Sequence, residues 1–249
     1  MKTFLALAII IYSSIIVCHK GNDSIRGVKI TENFPVINDK GNVMGYDTFS
    51  TNIYYYKNQV LYYSSYHFDS TSNDSLLTSE TRYYYLVFTK GKTYGYQYDK
   101  YKPVFEKKVL IDSALRQEWT SLIGFYPIFS ESNLTQSLKN FNKDSGILNE
   151  TYSFTAKSDT SKSGTCSLWF TKKINGIDFS LSKYLDSLNK MKLFKVRILN
   201  NPRYLKEYNI TIDKIEQAFD LDEIPIKNEK ELLYYFERDE KNNQSESKN

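Results

Sequence analysis

From residue 48 to about residue 100 the chain alternates between β-favouring and polar positions. "IYYYKN" and "VLYYSSYHF" flank a short "KNQ" break, which predicts a hairpin. "RYYYLVF-TKGK-TYGYQYD" predicts a second hairpin, with Gly91 free to take positive φ at the turn. "STSNDSLLTSE" (70–80) between them is polar and predicts a loop. Strict alternation puts Tyr94, Tyr96 and Tyr98 on one face and Thr93, Gly95 and Gln97 on the other. The small, polar character of the second set predicts a solvated face, and so a core position for the tyrosine row.

The middle changes period. After "VFEKKVLI", Asp112 or Ser113 is a cap for a helix carrying Leu115, Trp119, Leu122 and Ile123. Gly124 and Pro127 end it. Leu134, Leu138 and Phe141 predict a shorter helix over 133–141. "ILNETYSFTAK" and "TCSLWFTKKI" form a third hairpin. "SLSKYLDSLNKM" (180–191) shows a stripe of Leu181, Tyr184, Leu185, Leu188 and Met191, an amphipathic helix. "KLFKVRIL" alternates as a strand, and "YNITIDKIEQAF" as another with a parity break near Asp213. "NEKELLYYFERDE" is a helix with Asn228 as N-cap and Glu231 three residues on.

Hairpin-joined strands with helices between them predict an α+β fold. Its centre is a Tyr-rich antiparallel sheet, an open half-barrel in one form, with helices packed on one face. The expected organisation is a signal peptide or lipoprotein signal at 1–18, a tether and N-terminal loop at 19–47, one α+β domain at 48–240, and a disordered tail at 241–249. Within 19–47 only Val28–Ile30 suggests a strand.

The N-terminus bears on location. "MKTFLALAIIIYSSIIVC" has one Lys, then an apolar run from Phe4 to Val17. The run is shorter than the roughly 20 residues a membrane span needs, and "HKGNDS" turns abruptly polar. That pattern is a signal peptide, and it predicts a secreted, periplasmic or outer-membrane-anchored protein. Cys18 stands where a bacterial lipoprotein carries its lipid, although Ile16-Val17 replace the small residues expected before it. Lipidation at Cys18 and ordinary cleavage nearby are both open, and a lipid on Cys18 is the one membrane attachment expected. Cys166 is then the remaining thiol, so no intrachain disulfide is expected.

Composition narrows the chemistry. A net charge of +4, dispersed among Asp and Glu, gives no footprint for nucleic acid. The chain has two histidines, His19 and His67. A multi-histidine metal site therefore lacks ligands, and a triad has only His67 to draw on. No Walker loop, GxGxxG or GxSxG is present. Neither metal nor cofactor is expected, and no catalytic residue is nominated.

Tyrosine is the abundant functional side chain: 22 Tyr and 15 Phe against two Trp. Its flat ring suits strand packing, and its apolar body with a polar tip suits a binding platform. Tyr54, Tyr56, Tyr62 and Tyr66 are the candidate ligand-binding residues. Asp-Ser followed by a small or apolar residue recurs, and this resembles the O-glycosylation acceptor of some Gram-negative secreted proteins. It makes Ser70 and Ser75, in the expected 70–80 loop, candidate glycosylation sites. Asn-x-Ser/Thr occurs as well, so a eukaryotic secreted origin stays open.

The stretch "YSFTAKSDTSKSGTCSLWFTKKI" (152–174), after a signal peptide and a Tyr-rich first half, resembles the central region of GLPGLI-type secreted proteins of Gram-negative bacteria. The signature that names that family is replaced here by "NGIDFSLSKYLDSL". The resemblance implies an open antiparallel sheet with helices, somewhat like the half-barrel lipoprotein carriers, and no particular functional residue.

These readings predict a secreted or envelope-anchored, non-enzymatic protein that binds an apolar or mixed ligand or another envelope component. The alternatives are a hydrolase of envelope or extracellular polymers using His67 or carboxylates, and a purely structural envelope protein.

Overall fold

A computed structural model describes residues 24–72, 75–99, 105–117, 132–174 and 177–246. Its frame is one eleven-stranded antiparallel sheet, open at both ends. The first strand, β1 (Arg26–Ile37), lies in the middle of this sheet. From it β2 (Val43–Tyr56), β3 (Gln59–Ser72), β4 (Ser75–Thr89), β5 (Tyr94–Asp99) and β6 (Phe105–Leu110) step outward to one edge. Helix α1 (Ile111–Gln117) follows. The chain resumes at the opposite edge with β7 (Ser132–Asn142) and steps back through β8 (Ile147–Ala156), β9 (Ser163–Thr171) and β10 (Lys192–Asn200). Helix α2 (Lys183–Asn189) separates β9 from β10. A two-stranded side sheet, β11 (Arg203–Leu205) and β12 (Ile210–Ile212), precedes β13 (Ile215–Ile224). β13 sits between β10 and β1, joining the two meanders; its register runs from Gly27↔Ile224 to Asn33↔Ala218. Helix α3 (Glu229–Glu246) ends the described chain.

The expected third hairpin is present as β8–β9, and Gly91 takes φ +79 at the β4–β5 turn. Several expectations need correction. Residues 26–37 and 43–47, expected as tether and loop apart from Val28–Ile30, belong to long paired strands. Their turn at 38–42 docks on β12: the Asp213 N–H donates to the Gly41 carbonyl, and a Cβ on Gly41 would lie 2.1 Å from the Thr211 carbonyl oxygen. With φ at +87, that position excludes every side chain for two separate reasons. Within the polar 70–80 stretch, residues 70–72 and 75–80 are strand as well, paired as Ser70↔Thr78 and Ser72↔Ser75. The parity break near Asp213 is a full change of sheet, with β12 pairing β11 and β13 joining the main sheet.

The helix expected at 133–141 is β7. Its Leu134 opposes Phe154 and its Phe141 opposes Leu148, and both partners belong to the core. A bulge between Gln136 and Leu138 adds one residue to β7, so two positions seven apart return to the same face. That spacing imitates a helical repeat. Leu138, beyond the bulge, opposes Thr151 and is half exposed.

Alternation along β3 and β4 separates two cores. Val60, Tyr62, Leu86 and Phe88 belong to a large cluster on the first face, shared with Leu168, Phe170, Val196 and Phe219. Leu61, Tyr85 and Val87 point the opposite way, into a second cluster with Tyr96, Tyr98 and α3 residues Leu232, Tyr235 and Phe236. Ala114 of α1 and Leu185 of α2 belong to the first cluster. The helices thus cover both faces, and the expectation of helices on one face is corrected. β3–β5 carry apolar side chains on both sides, so each side needs a cover.

Helix α2 is shorter than its apolar stripe. Ser182 caps it, its hydroxyl accepting from the Leu185 N–H, and Lys190 ends it in the left-handed region. Leu181, Leu185 and Met191 are buried, but Tyr184 and Leu188 face solvent at 71% and 62% exposure. The predicted stripe is therefore half right. Asp186 ties the helix to β10, accepting from the Leu193 N–H at 2.6 Å and pairing with Lys192 at 3.0 Å.

Helix α3 starts where expected, with the Asn228 carbonyl accepting from the Leu232 N–H and its side chain donating to Glu231. It does not fray at 241. Asn242 donates to the Tyr98 hydroxyl at 3.0 Å and Asn243 to the Thr89 hydroxyl at 3.3 Å, so the polar tail docks by hydrogen bonds.

Candidate functional site

The hairpin turn between β2 and β3 decides how the tyrosines are shared out. Only Lys57 and Asn58 lie between the paired residues Tyr56 and Gln59, and Lys57 takes φ +53. Each even position on β2 therefore opposes an odd one on β3: Tyr54 faces Leu61, and Ile53 faces Tyr62. Of the four candidate tyrosines, Tyr54 and Tyr56 lie on the second face and Tyr62 on the first. Tyr62 therefore shares no surface with Tyr54 and Tyr56. Tyr66 is on β3 opposite Arg82, with its side chain outside the described set.

On the first face lies a cleft of about 1440 Å³ between β3–β4, α1 and the segment that leads into α2. Val60, Tyr62, Phe88, Ile111, Leu115 and Phe179 give it an apolar floor. Four lysines reach its rim: Lys90 and Lys92 from the β4–β5 turn, Lys183 from α2 and Lys192 from β10. Asp112, Asp178 and Asp186 stand among them. Lys90 pairs with Asp178 and lies over the Tyr55 ring, 5.4 Å from its centroid. Lys192 pairs with Asp186 and also donates to the Phe179 carbonyl at 2.9 Å. Among the described residues, Lys92 and Lys183 have no such partner.

The tyrosine hydroxyls here are held neutral. Burial raises the Tyr55 pKa, with Tyr62 adding to the shift, although the Phe179 N–H donates to the Tyr55 oxygen at 3.1 Å. Burial alone raises that of Tyr62. Neither is a phenolate base. The cleft offers apolar contact, neutral hydroxyls and a rim of both charge signs.

On the second face a smaller groove of about 450 Å³ runs between the sheet and the start of α3. Its wall includes Tyr54, Tyr63, Tyr83 and Tyr85. The Tyr63 ring stacks between Tyr83 at 6.0 Å and Tyr85 at 4.9 Å, and Tyr85 stacks on Tyr235 at 4.2 Å. Ring faces in this ladder are used up by one another, which is packing. The Tyr85 hydroxyl donates to Glu231 at 2.7 Å.

Ser70 and Ser75 sit on paired strands instead of a loop. His67 is on β3 opposite Thr81. Cys166 is fully buried on β9, and burial pushes its thiol up to about 12, so it is no nucleophile at neutral pH. Cys18 and His19 lie outside the described residues. Among the described residues no three His, Cys, Asp or Glu side chains converge to hold a metal ion. No described helix is long and apolar enough to cross a membrane, which says nothing of strands.

Sequence reasoning missed Phe88, Phe179 and the lysine rim as a site. "FTKGKTY" reads as a turn, and nothing in it points to residues 177–192, some 90 positions on. Compared with known proteins, the sequence matches no family model and no curated protein.

Proposed function

We propose that the protein is a secreted or envelope-anchored, non-enzymatic binding protein, and that its ligand is amphiphilic. The apolar body of the ligand lies on the floor formed by Val60, Tyr62, Phe88 and Leu115, and its polar end meets the charged rim. One observation carries this reading: apolar floor and lysine rim occur together in a cleft larger than the roughly 300–1,000 Å³ of ordinary small-molecule sites. An open sheet with one face laid against such a ligand is the half-barrel form of the fold. The N-terminal apolar run supports an extracytoplasmic setting, with Cys18 as the lipid-bearing residue if the protein is anchored.

A filled sheet would favour a purely structural protein, and the cleft counts against that. On the rim Asp178 and Asp186 are paired with lysines, which favours binding over a carboxylate-based hydrolase at this cleft; the His67 side chain lies outside the described residues.

The test is titration of the full chain with dansyl-labelled undecanoic acid. Saturable, blue-shifted binding that long-chain fatty acid displaces is expected. Leu115→Glu, which puts a charge in the floor, should weaken it by about tenfold, or roughly 1.4 kcal/mol. Tyr83→Ala, on the opposite face, should leave it unchanged. Absence of saturable binding, or equal binding by Leu115→Glu, would overturn the reading.

A further inference from the structure

Four arginines have described side chains, and three of them are committed. Arg26 donates to Glu223 at 2.7 Å, Arg197 forks onto both oxygens of Asp220 at 3.0 and 2.7 Å, and Arg238 donates to the Tyr234 hydroxyl at 2.8 Å. Arg203, half-buried at the start of β11, feels the Asp159 carboxylate electrostatically but has no hydrogen-bond acceptor for its side chain among the described residues. A guanidinium has five donors in a fixed planar fork that matches a carboxylate or a phosphate. None of its nitrogens is buried without a partner, so solvent reaches them and a carboxylate or phosphate can take the place of that water.

Arg203 lines a pocket of about 320 Å³ where the ends of β8, β9, β10 and β13 converge beside the two-stranded side sheet. The pocket lies apart from the lysine-rimmed cleft and has no residue in common with it. One part of its wall is apolar, from Phe154, Ile212 and Ile215. The other part carries Lys162 and Asn200 beside Arg203. Lys162 is held only loosely, 3.8 Å from Asp159. That carboxylate is already served at 3.0 and 2.6 Å by the backbone and hydroxyl of Ser161. Asn201 and Ser163, also in the wall, are bonded to each other at 3.1 Å. Two cations that share the single Asp159 carboxylate, together with apolar lining residues, define the complementary molecule.

We propose that this pocket is a second binding site, for a small organic anion: a carboxylate or phosphate carried on an apolar or aromatic body. The anionic oxygens sit on the Arg203 fork and Lys162, Asn200 donates its amide, and the body packs on Phe154 and Ile212. The volume suits a molecule of metabolite size, and the site shares no lining residue with the cleft.

The experiment is NMR titration of the full ¹⁵N-labelled chain with sodium benzoate and with phenyl phosphate, reading the Arg203 Nε–Hε signal. Benzyl alcohol serves as the uncharged control. At least one anion should shift that signal saturably, and the alcohol should not. Arg203→Gln should weaken binding of that anion by about tenfold, and Arg203→Lys by several-fold, since Lys keeps the charge and loses the fork. Lys92→Gln, on the rim of the other cleft, should bind as the native chain does. The arm that binds tells a carboxylate from a phosphate ligand. If neither anion moves the Arg203 signal of the native chain, if Arg203→Gln binds equally, or if Lys92→Gln loses binding to the same degree, the proposal falls. Thermal melts of the variants check that they are folded, and the native-chain signal decides the question even if one is not.

Discussion

Tyr98 is fully buried and Tyr96 nearly so, while Tyr94, two residues further back on the same face, is 46% exposed. Tyr96 and Tyr98 pack with α3 residues in the second cluster, and Tyr94 does not belong to it. Tyr98→Ala and Tyr96→Ala should each cost on the order of 3 kcal/mol, as other large aromatic truncations do. Tyr94→Ala should stay within about 1 kcal/mol. Urea denaturation of the three variants checks the gradient; equal costs would show that the row shares one environment. The opposite side of β5 is also buried, contrary to the expectation from its small and polar residues. A Cβ on Gly95 would meet Phe88 Cβ at 2.9 Å, and Gln97 is buried with its side-chain oxygen unpartnered. Asp239 is the other residue of this kind. It is a fully buried residue of α3, where one carboxylate oxygen accepts from Gln59 at 2.9 Å and Thr89 at 2.8 Å, and the other has no partner. Burial raises its pKa, more than the hydrogen bonds from Gln59, Thr89 and Asn243 lower it. A carboxyl raised on folding contributes stability in full below its unfolded value, about 3.9, and loses it as pH rises through the folded value. Asp239→Asn cannot ionise. Relative to the native chain it should therefore be more stable at pH 8, on the order of 1 kcal/mol, with the difference shrinking toward pH 5. Urea midpoints at both pH values test this, and a difference independent of pH would contradict it.

Helix α3 holds the sheet by an apolar first half and a polar second half. Leu232, Tyr235 and Phe236 fill the second core, and Phe236 lies 5.5 Å from the Tyr56 ring. Further along, the Gln59 amide donates to the Phe236 carbonyl at 2.8 Å, and Asn242 and Asn243 reach Tyr98 and Thr89. Ending the chain after Lys241 removes Asn242 and Asn243 and with them those last two bonds. Each lost bond is worth about 1 kcal/mol, so the truncation should lower stability by about 2 kcal/mol. Faster amide exchange at Asp239 and Glu240 should accompany it. If the truncated chain matches the full one in urea, the tail contributes nothing and the reading of 241–249 as a loose end returns.

At the scale of the whole molecule, the sheet is two meanders joined where β13 lies against β1. The first and the last described strand of the chain form this seam, so residues far apart in sequence are neighbours, as in Lys29↔Asp222. The proposed setting depends on the N-terminal segment, which a fractionation experiment probes directly. If Cys18 bears a lipid, Cys18→Ala moves the protein from the membrane to the soluble fraction. Unchanged partitioning assigns the segment to ordinary cleavage.

The sequence by itself determined what alternation and turn residues encode locally: the antiparallel hairpins at 52–66 and 83–98, the β8–β9 pair, and the start of α3. These are signals between near neighbours, and Gly91 or Asn228 states them in one residue. Tertiary structure alone decided the rest. β7 is a strand because β8 offers it a ladder, and its bulge turned a strand into the likeness of a helix. The parity set at Lys57-Asn58 put Tyr62 on a different face from Tyr54. The cleft needs Phe88 and Phe179 brought together across some 90 residues, and the Arg203 pocket needs four strand ends to converge. Periodicity reports which side of an element is apolar; it carries no record of what will cover that side, because the cover comes from distant chain whose own pattern is equally local.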